Sequence, residues 1–276
     1  MVEPHPLRIV PIASGGGVVA QVSSVLKKGD CVSGMAKLGP ESVNMIFADP
    51  PYNLSGSSLV NRKSATGGDF YKVNEKWDSW TDVAYAKFTD AWISEASRVL
   101  VDNGAIYVCA SYHNIGEVMT SLKKGKFLVK NILVWEKPNA MPNMTRRTFT
   151  HSTEFVVWAV KGKNWIFNFE ALKNLNPESQ RDGSPKMMRD VWRLPVVQGV
   201  ERLRGEDGRA LHPTQKPETL VRRCIEASTN PGHLVLDPFA GSGTTAVVAK
   251  RLGRHSIGFE TNDAYIKAAR GRLGRG

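Results

Sequence analysis

The chain has 276 residues, with 37 Lys and Arg against 26 Asp and Glu, for a formal charge of +11. That length supports one large domain, or a domain carrying an insert, with a core that needs no covalent staples. The charge favours a polyanionic partner without naming it, since a solvated basic surface produces the same excess. Three widely separated cysteines, Cys31, Cys109 and Cys224, argue against a disulfide framework and against a zinc site built on close pairs, so a reducing, cytoplasmic setting is expected, with no metal. No apolar stretch reaches membrane-spanning length. The signal-like candidate, Ile9 to Leu26, has a weak basic flank and is broken by Gly15-Gly16-Gly17, so residues 1–28 read as an N-terminal extension.

In chain order, Ser42 to Ala48 is a short apolar run bounded by Pro40 and Pro50 and reads as a buried strand, which leaves Asp49 at its carboxyl edge. Thr81 is placed to cap a helix running to about Leu100, with Tyr85, Phe88, Trp92, Ala96 and Leu100 at helical spacing, and Asn103-Gly104 follows as a stop. Ala105 to Cys109 is the next strand, Ile115 to Lys124 a helix, and Leu128 to Trp135 another strand. From Lys137 to about Ala210 the alternation gives way to prolines, asparagines and basic residues around two aromatic strands, Phe155 to Val160 and Trp165 to Phe169, and this stretch reads as an insert. Alternation resumes with a helix from Pro217 to Thr229, a strand Leu234 to Leu236, a helix Thr244 to Leu252, a strand Ser256 to Phe259 and a last helix from Asp263. Trp135, Trp158 and Trp165 lie in apolar runs and are expected in the core.

Two stretches carry chemistry. In "LDPFAGSGTTAVVAKRLG", residues 236–253, a strand ends at Asp237 and a glycine-bearing loop leads into a helix, the arrangement by which α/β folds receive a nucleotide-like ligand. Glu260, at the end of the next strand, is spaced to accept both hydroxyls of a ribose. Alone, Gly241-x-Gly243-x-x-Ala246 equally suits a nicotinamide dinucleotide, or a turn whose glycines only allow close packing. A phosphate-binding P-loop is ruled out because no lysine precedes Thr244 or Thr245. The second stretch is "FADPPYNLSG", residues 47–56, where an acid, two rigid prolines and a tyrosine stand at a strand tip.

"DPPY" at 49–52 together with "FAGSGTT" at 239–245 resembles the amino-group DNA methyltransferases that use S-adenosylmethionine, and the order of the two motifs resembles their circularly permuted β group. Gly29-Asp30-Cys31 and "HPTQKP" at 212–217 extend the likeness over nearly the whole chain. "SYHNI" at 111–115, "MPN" at 141–143 and "FNFEALK" at 167–173 resemble the cell-cycle-regulated adenine methyltransferases that act on GANTC, although those continue beyond the last helix whereas this chain stops at Gly276. The resemblance implies a Rossmann-like methyltransferase α/β fold, with a mixed, mainly parallel sheet and helices on both faces. Its catalytic core would be 29–136 and 211–276, with 137–210 as a target-recognition insert. Duplex DNA is the implied partner, and a homodimer the implied assembly. The implied reaction moves a methyl group to N6 of an adenine flipped out of the duplex. The rival readings are N4-cytosine methylation, methylation of a protein glutamine, a nicotinamide dehydrogenase and a catalytically silent DNA-binding module.

The chemistry gives each motif residue a role. An exocyclic amine whose lone pair is delocalised into the ring needs two hydrogen-bond acceptors to turn it toward the methyl donor, and the Asp49 carboxylate and Pro50 carbonyl are assigned to this. Pro50 and Pro51 hold that carbonyl rigidly, and Tyr52 offers a ring for the extruded base to stack on. By the resemblance, Phe239, Gly241, Ser242, Gly243, Thr244 and Thr245 hold the methionine end of the cofactor, assisted by His212, Thr214 and Lys216. Glu260 takes the ribose, and Asp30 with the backbone of Cys31 reads the adenine edge. Asn143, Arg146 and Arg147 are the candidate DNA contacts. Ser55 to Lys76 is expected to be a mobile loop closing over the base, with Trp77 and Trp80 at its end packed on the following helix.

Overall fold

In the computed structural model, which describes residues 22–53, 80–140, 142, 146–205 and 207–275, eight strands form one sheet. They are β1 (Ser24–Lys28), β2 (Val43–Ala48), β3 (Leu100–Ala110), β4 (Leu128–Glu136), β5 (Thr153–Val160), β6 (Val191–Arg193), β7 (Leu234–Asp237) and β8 (His255–Glu260). Their order across the sheet is β1-β8-β7-β2-β3-β5-β4-β6, parallel throughout except for β5, which runs antiparallel to both its neighbours.

The apolar runs form strands because both faces of the sheet are covered. Along β2, Ile46 and Ala48 face one core and Met45 and Phe47 the other, and β3 repeats the alternation with Ile106 and Val108 against Tyr107 and Cys109. The first face is covered by α1 (Cys31–Met35), α2 (Asp82–Val99) and α3 (Ile115–Lys124), and the second by α5 (Glu218–Ser228) and α6 (Thr244–Arg251). α4 (Phe169–Leu175) lies beside α5, and α7 (Asp263–Arg275) packs on α6 and the β1 edge. Met45, Ile46 and Phe47 are withdrawn almost wholly from water, each contributing about 1.5–3 kcal/mol of transfer free energy. The Thr81 hydroxyl accepts from the Ala84 N–H and caps α2 as expected. The three cysteines are free and buried. Among the described residues no helix is long and apolar enough to cross a membrane.

Four expectations change. The last residues assigned to the extension, Ser24–Lys28, are the parallel edge strand β1, in register with β8 from Ser24 against Ser256 to Lys28 against Glu260. Residues 153–160, placed within the insert, form β5, whose apolar side chains fill the sheet between β3 and β4. Trp165 to Phe169 forms no strand. The Asn168 amide donates to the Glu226 and Thr229 carbonyls and its N–H to the Ala227 carbonyl, which ties this segment to the end of α5 and starts α4 instead. Trp135 and Trp158 are core residues, whereas Trp165 is only partly buried, beneath the Lys130 ammonium at 4.0 Å.

Candidate active site

The residues of DPPY, Gly241 and Glu260 converge on the carboxyl edge of the sheet. β7 and β2 are adjacent and parallel, but the chain after β7 passes to α6 on one face and the chain after β2 to α2 on the other, so a crevice opens between their carboxyl ends. The resulting open cleft of about 260 Å³ has Asp49, Pro50, Pro51 and Tyr52 on one side and Phe239, Gly241 and Glu260 on the other.

On the β7–β8 side, the Glu260 carboxylate accepts the Gly241 N–H at 2.8 Å and the Asn262 N–H at 2.7 Å, one on each oxygen, which leaves acceptor capacity on both facing the cleft. Asp30 caps α1 through the Ser33 N–H at 2.9 Å, and it lines the cleft with Cys31. The Cys31 thiol is pushed up to about 12, chiefly by burial and then by Asp30, so it stays neutral and unreactive. Gly241 stands at φ 46°, and a Cβ there would lie 2.8 Å from His212 Nε2. His212 is held near a pKa of about 4 by burial and then by Lys216 and Arg202, so it is a neutral wall rather than a charge. Phe239 is braced edge-on by Phe88 and Trp92, at 6.1 and 5.4 Å between ring centres. A cradle that only glycine keeps open, acids at two strand tips and aromatic walls together fit an adenosine-bearing cofactor.

The rest of the glycine loop departs from expectation. Ser242, Thr244 and Thr245 are buried in a smaller recess adjoining the cleft. The Arg272 guanidinium donates to the Ser242 carbonyl and the Thr244 hydroxyl, while Thr245 bonds Asp237, whose pKa burial lifts to about 7. Gly243 lines neither space. It sits at φ 76° with a would-be Cβ 2.7 Å from the Ala269 Cβ, so its glycine is required by the packing of α7. Gly243→Ala is therefore expected to destabilise the fold by about 3 kcal/mol, read from the urea midpoint.

Lys216 is the larger correction. It lines the cleft, but its ammonium lies 2.8 Å from both Asp49 oxygens and 3.7 Å from Glu154, so it is held by the two carboxylates and is not free at the cleft wall. Burial alone would lower its pKa, and Asp49 and Glu154 more than reverse this, keeping it protonated. Burial raises Asp49, with Lys216 opposing, whereas Glu154, also disfavoured by burial, is brought below its usual value by Lys216 and Lys137. The Tyr52 hydroxyl is 3.1 Å from Asp49 Oδ1 and 3.1 Å from Glu154 Oε2. The Pro51 carbonyl accepts the Tyr85 hydroxyl at 2.8 Å, and Tyr85 is held in turn by the Asn114 amide, so the loop is braced from α2 while Pro50 faces the cleft.

Glu154, Lys137, Tyr85 and Asn114 are absent from the site expected from sequence; Asn114 lies within SYHNI and Tyr85 on the apolar spacing of α2, and for Glu154 the signal is a single acid at the start of the apolar run EFVVWAV. Trp80 stacks on Phe88 at 5.0 Å as expected, and it also lines the cleft, 37% exposed. Arg146 and Arg147 are exposed on the segment between β4 and β5. Asn143, Trp77 and the Ser55–Lys76 loop lie outside the described residues.

The fold is that of an S-adenosylmethionine-dependent methyltransferase. It superposes on the M1.HpyAVI–SAM complex with a TM-score of 0.64 at 28% identity, covering 91% of this chain and 98% of that one. The PvuII DNA methyltransferase, described as cytosine-N4-specific, shares the fold with a TM-score of 0.68 at 18% identity, over 91% of this chain and 86% of that one. The chain belongs to the N6/N4 DNA methylase family, which its residues 43–271 match. It is 42% identical over 254 residues to the type II methyltransferase M2.DpnII of Streptococcus pneumoniae, covering 90% of this chain and 89% of that protein. It is 37% identical over 253 residues to the type II methyltransferase M.HinfI of Haemophilus influenzae, covering 91% and 68% respectively.

Proposed function

We propose that this DNA methyltransferase methylates the N6 amine of an adenine extruded from duplex DNA, with Asp49 and the Pro50 carbonyl as the two acceptors that orient the amine. The observation that carries the reading is the shared cleft: Asp49 at the tip of β2 faces the Gly241 and Glu260 wall of the neighbouring strands across a single opening. S-adenosylmethionine, when bound, supplies an electrophilic methyl group. Glu260 receives the ribose hydroxyls, Asp30 and the Cys31 backbone read the adenine edge, and Phe239, Gly241, His212 and Thr214 border the methionine end.

The Asp49 carboxylate already accepts the Lys216 ammonium on both oxygens and the Tyr52 hydroxyl on Oδ1, which leaves an acceptor position on Oδ2 for one amine N–H. The Pro50 carbonyl takes the other, its direction set by two fixed proline φ angles and by the Tyr85 brace on the next carbonyl. Tyr52 lines the cleft, where its ring is available to the flipped base, while its hydroxyl ties the loop to β5. The basic surface, Arg146 and Arg147 included, anchors phosphates flanking the extruded nucleotide. The resemblance to the permuted β group carries a homodimer into the proposal, to be read by sedimentation.

The test is incubation with labelled S-adenosylmethionine and mixed-sequence duplex DNA, followed by digestion to nucleosides. N6-methyldeoxyadenosine is the expected product. N4-methyldeoxycytidine in its place would transfer the same acceptor geometry to a cytosine amine and overturn the adenine assignment.

A further inference from the structure

Glu154 belongs to none of the motifs, yet behind Asp49 it meets Tyr52, Lys216 and Lys137. We infer that Glu154 is a positioning residue that sets the basicity of Asp49, so that Asp49 accepts the proton the target amine must release. The inference rests on the amino-group reading above, for either base.

The geometry is specific. β5 runs antiparallel to the rest of the sheet, so its first residues, not its last, reach the carboxyl edge where Asp49 stands. Glu154 Oε2 and Asp49 Oδ1 each lie 3.1 Å from the Tyr52 hydroxyl, which has one hydrogen to divide between two carboxylates. Lys216 Nζ stands between the same two groups, 2.8 Å from Asp49 and 3.7 Å from Glu154. On its far side Glu154 Oε1 accepts from Lys137 Nζ at 3.0 Å. The Lys216 side chain is 6% exposed and those of Asp49 and Glu154 18% and 21%, so the charges act on one another with little screening. The other titratable groups around Asp49 are neutral or remote from its oxygens. Burial holds the Cys109 thiol protonated, His212 behind Lys216 is uncharged, and Asp237 lies at the tip of the next strand, tied to Thr245.

The proton balance requires an acceptor. The amine nitrogen forms an N–C bond while the donor's S–C bond breaks with its electron pair left on sulfur, and the nitrogen then bears one positive charge. One N–H bond next breaks with its pair returning to nitrogen, and the proton passes to Asp49, whose free acceptor position already points at that hydrogen. The methylated base leaves neutral, and Asp49 returns the proton to water once the cleft opens. An aspartate held by an ammonium alone would be a weak base. A second carboxylate on the same ammonium disfavours the ionised form of Asp49 and restores its affinity for a proton, and Lys137 limits that effect by neutralising part of Glu154.

Opposite substitutions give opposite signs. Methyl transfer needs Asp49 ionised, so the single-turnover rate falls as pH drops through its apparent pKa. Glu154→Gln keeps a partner for Tyr52 but removes the charge, and the acid limb is expected to move about one pH unit lower. Lys137→Gln leaves Glu154 unneutralised, and the limb is expected to move about one unit higher. S-adenosylmethionine affinity by calorimetry and 2-aminopurine fluorescence at the target position, which reports base extrusion, are expected to stay at wild-type values in both. Unmoved limbs, or limbs moving the same way, overturn the inference. Should Glu154→Gln not fold, Lys137→Gln decides alone, with an unmoved or lowered limb counting against. The product nucleoside of the wild-type enzyme is read separately, so failure of the amino-group assignment appears there and not in the pH profile.

Discussion

On the proposed role of Asp49 as an acceptor, Asp49→Ala is expected to lower the single-turnover rate of methyl transfer by about three orders of magnitude or more, with S-adenosylmethionine affinity changed by no more than about threefold. The asymmetry follows from where the side chain sits. Asp49 faces the cleft from β2, opposite Glu260, Gly241 and Asp30 on the β7–β8 and β1 side, so its loss is expected to remove the proposed acceptor for the amine while leaving that side of the cleft in place. The change also leaves the Lys216 ammonium with Glu154 alone, 3.7 Å away, beside the place proposed for the amine. Asp49→Asn is the milder comparison. It keeps one oxygen acceptor but can present a donor to the amine, and a loss of about two orders of magnitude is expected. Rapid-quench measurement with labelled donor gives the rate, and calorimetry the affinity. A rate within tenfold of wild type for Asp49→Ala would remove Asp49 from the reaction.

The second large effect is on stability. Lys216→Met is expected to destabilise the protein by about 3–5 kcal/mol at neutral pH, because it leaves Asp49 and Glu154 buried beside one another without the cation between them. The sign of the pH dependence is set by the raised pKa of Lys216. A lysine whose folded value lies above its unfolded value contributes stability that is whole below the ordinary lysine range and is lost only as pH climbs through the folded value, so the wild-type contribution is level across neutral and acid pH. In the variant the two carboxylates repel, and one of them takes up a proton as pH falls. The deficit relative to wild type is therefore expected to shrink from about pH 8 to about pH 5. Urea midpoints at several pH values measure it, and a deficit independent of pH would mean that lost packing, not charge, dominates.

Much of the fold was legible because its signals are local. The Thr81 cap and the helical spacing after it place α2, and Asn103-Gly104 was read as its stop. The helix in fact ends at Val99 and passes directly into β3 from Leu100, since Leu100 pairs with Val43 across the sheet and is wholly buried. The tip of β2 and the loop after β7 were recognisable as a pair because each motif lies within a few consecutive residues. The failures share one cause. β1 was missed because Ser24–Lys28 carries two lysines and gains its strand character only by lying beside β8, more than two hundred residues away in the chain. Glycines 241 and 243 look alike in sequence, yet one keeps the cleft open and the other accommodates Ala269.

What the sequence by itself determined is the chemistry on offer and its order along the chain: an acid, two prolines and a tyrosine at one strand tip, a glycine loop and an acid at two others, and the α/β alternation that carries them. Which charges meet was decided only by the tertiary structure. Lys216 stands 167 residues from Asp49, and Glu154 reaches the pair only because β5 enters the sheet antiparallel and turns its first residues to the carboxyl edge. Strand direction and order arise from burying both faces of the sheet at once, a condition on the whole chain that no short stretch of it contains.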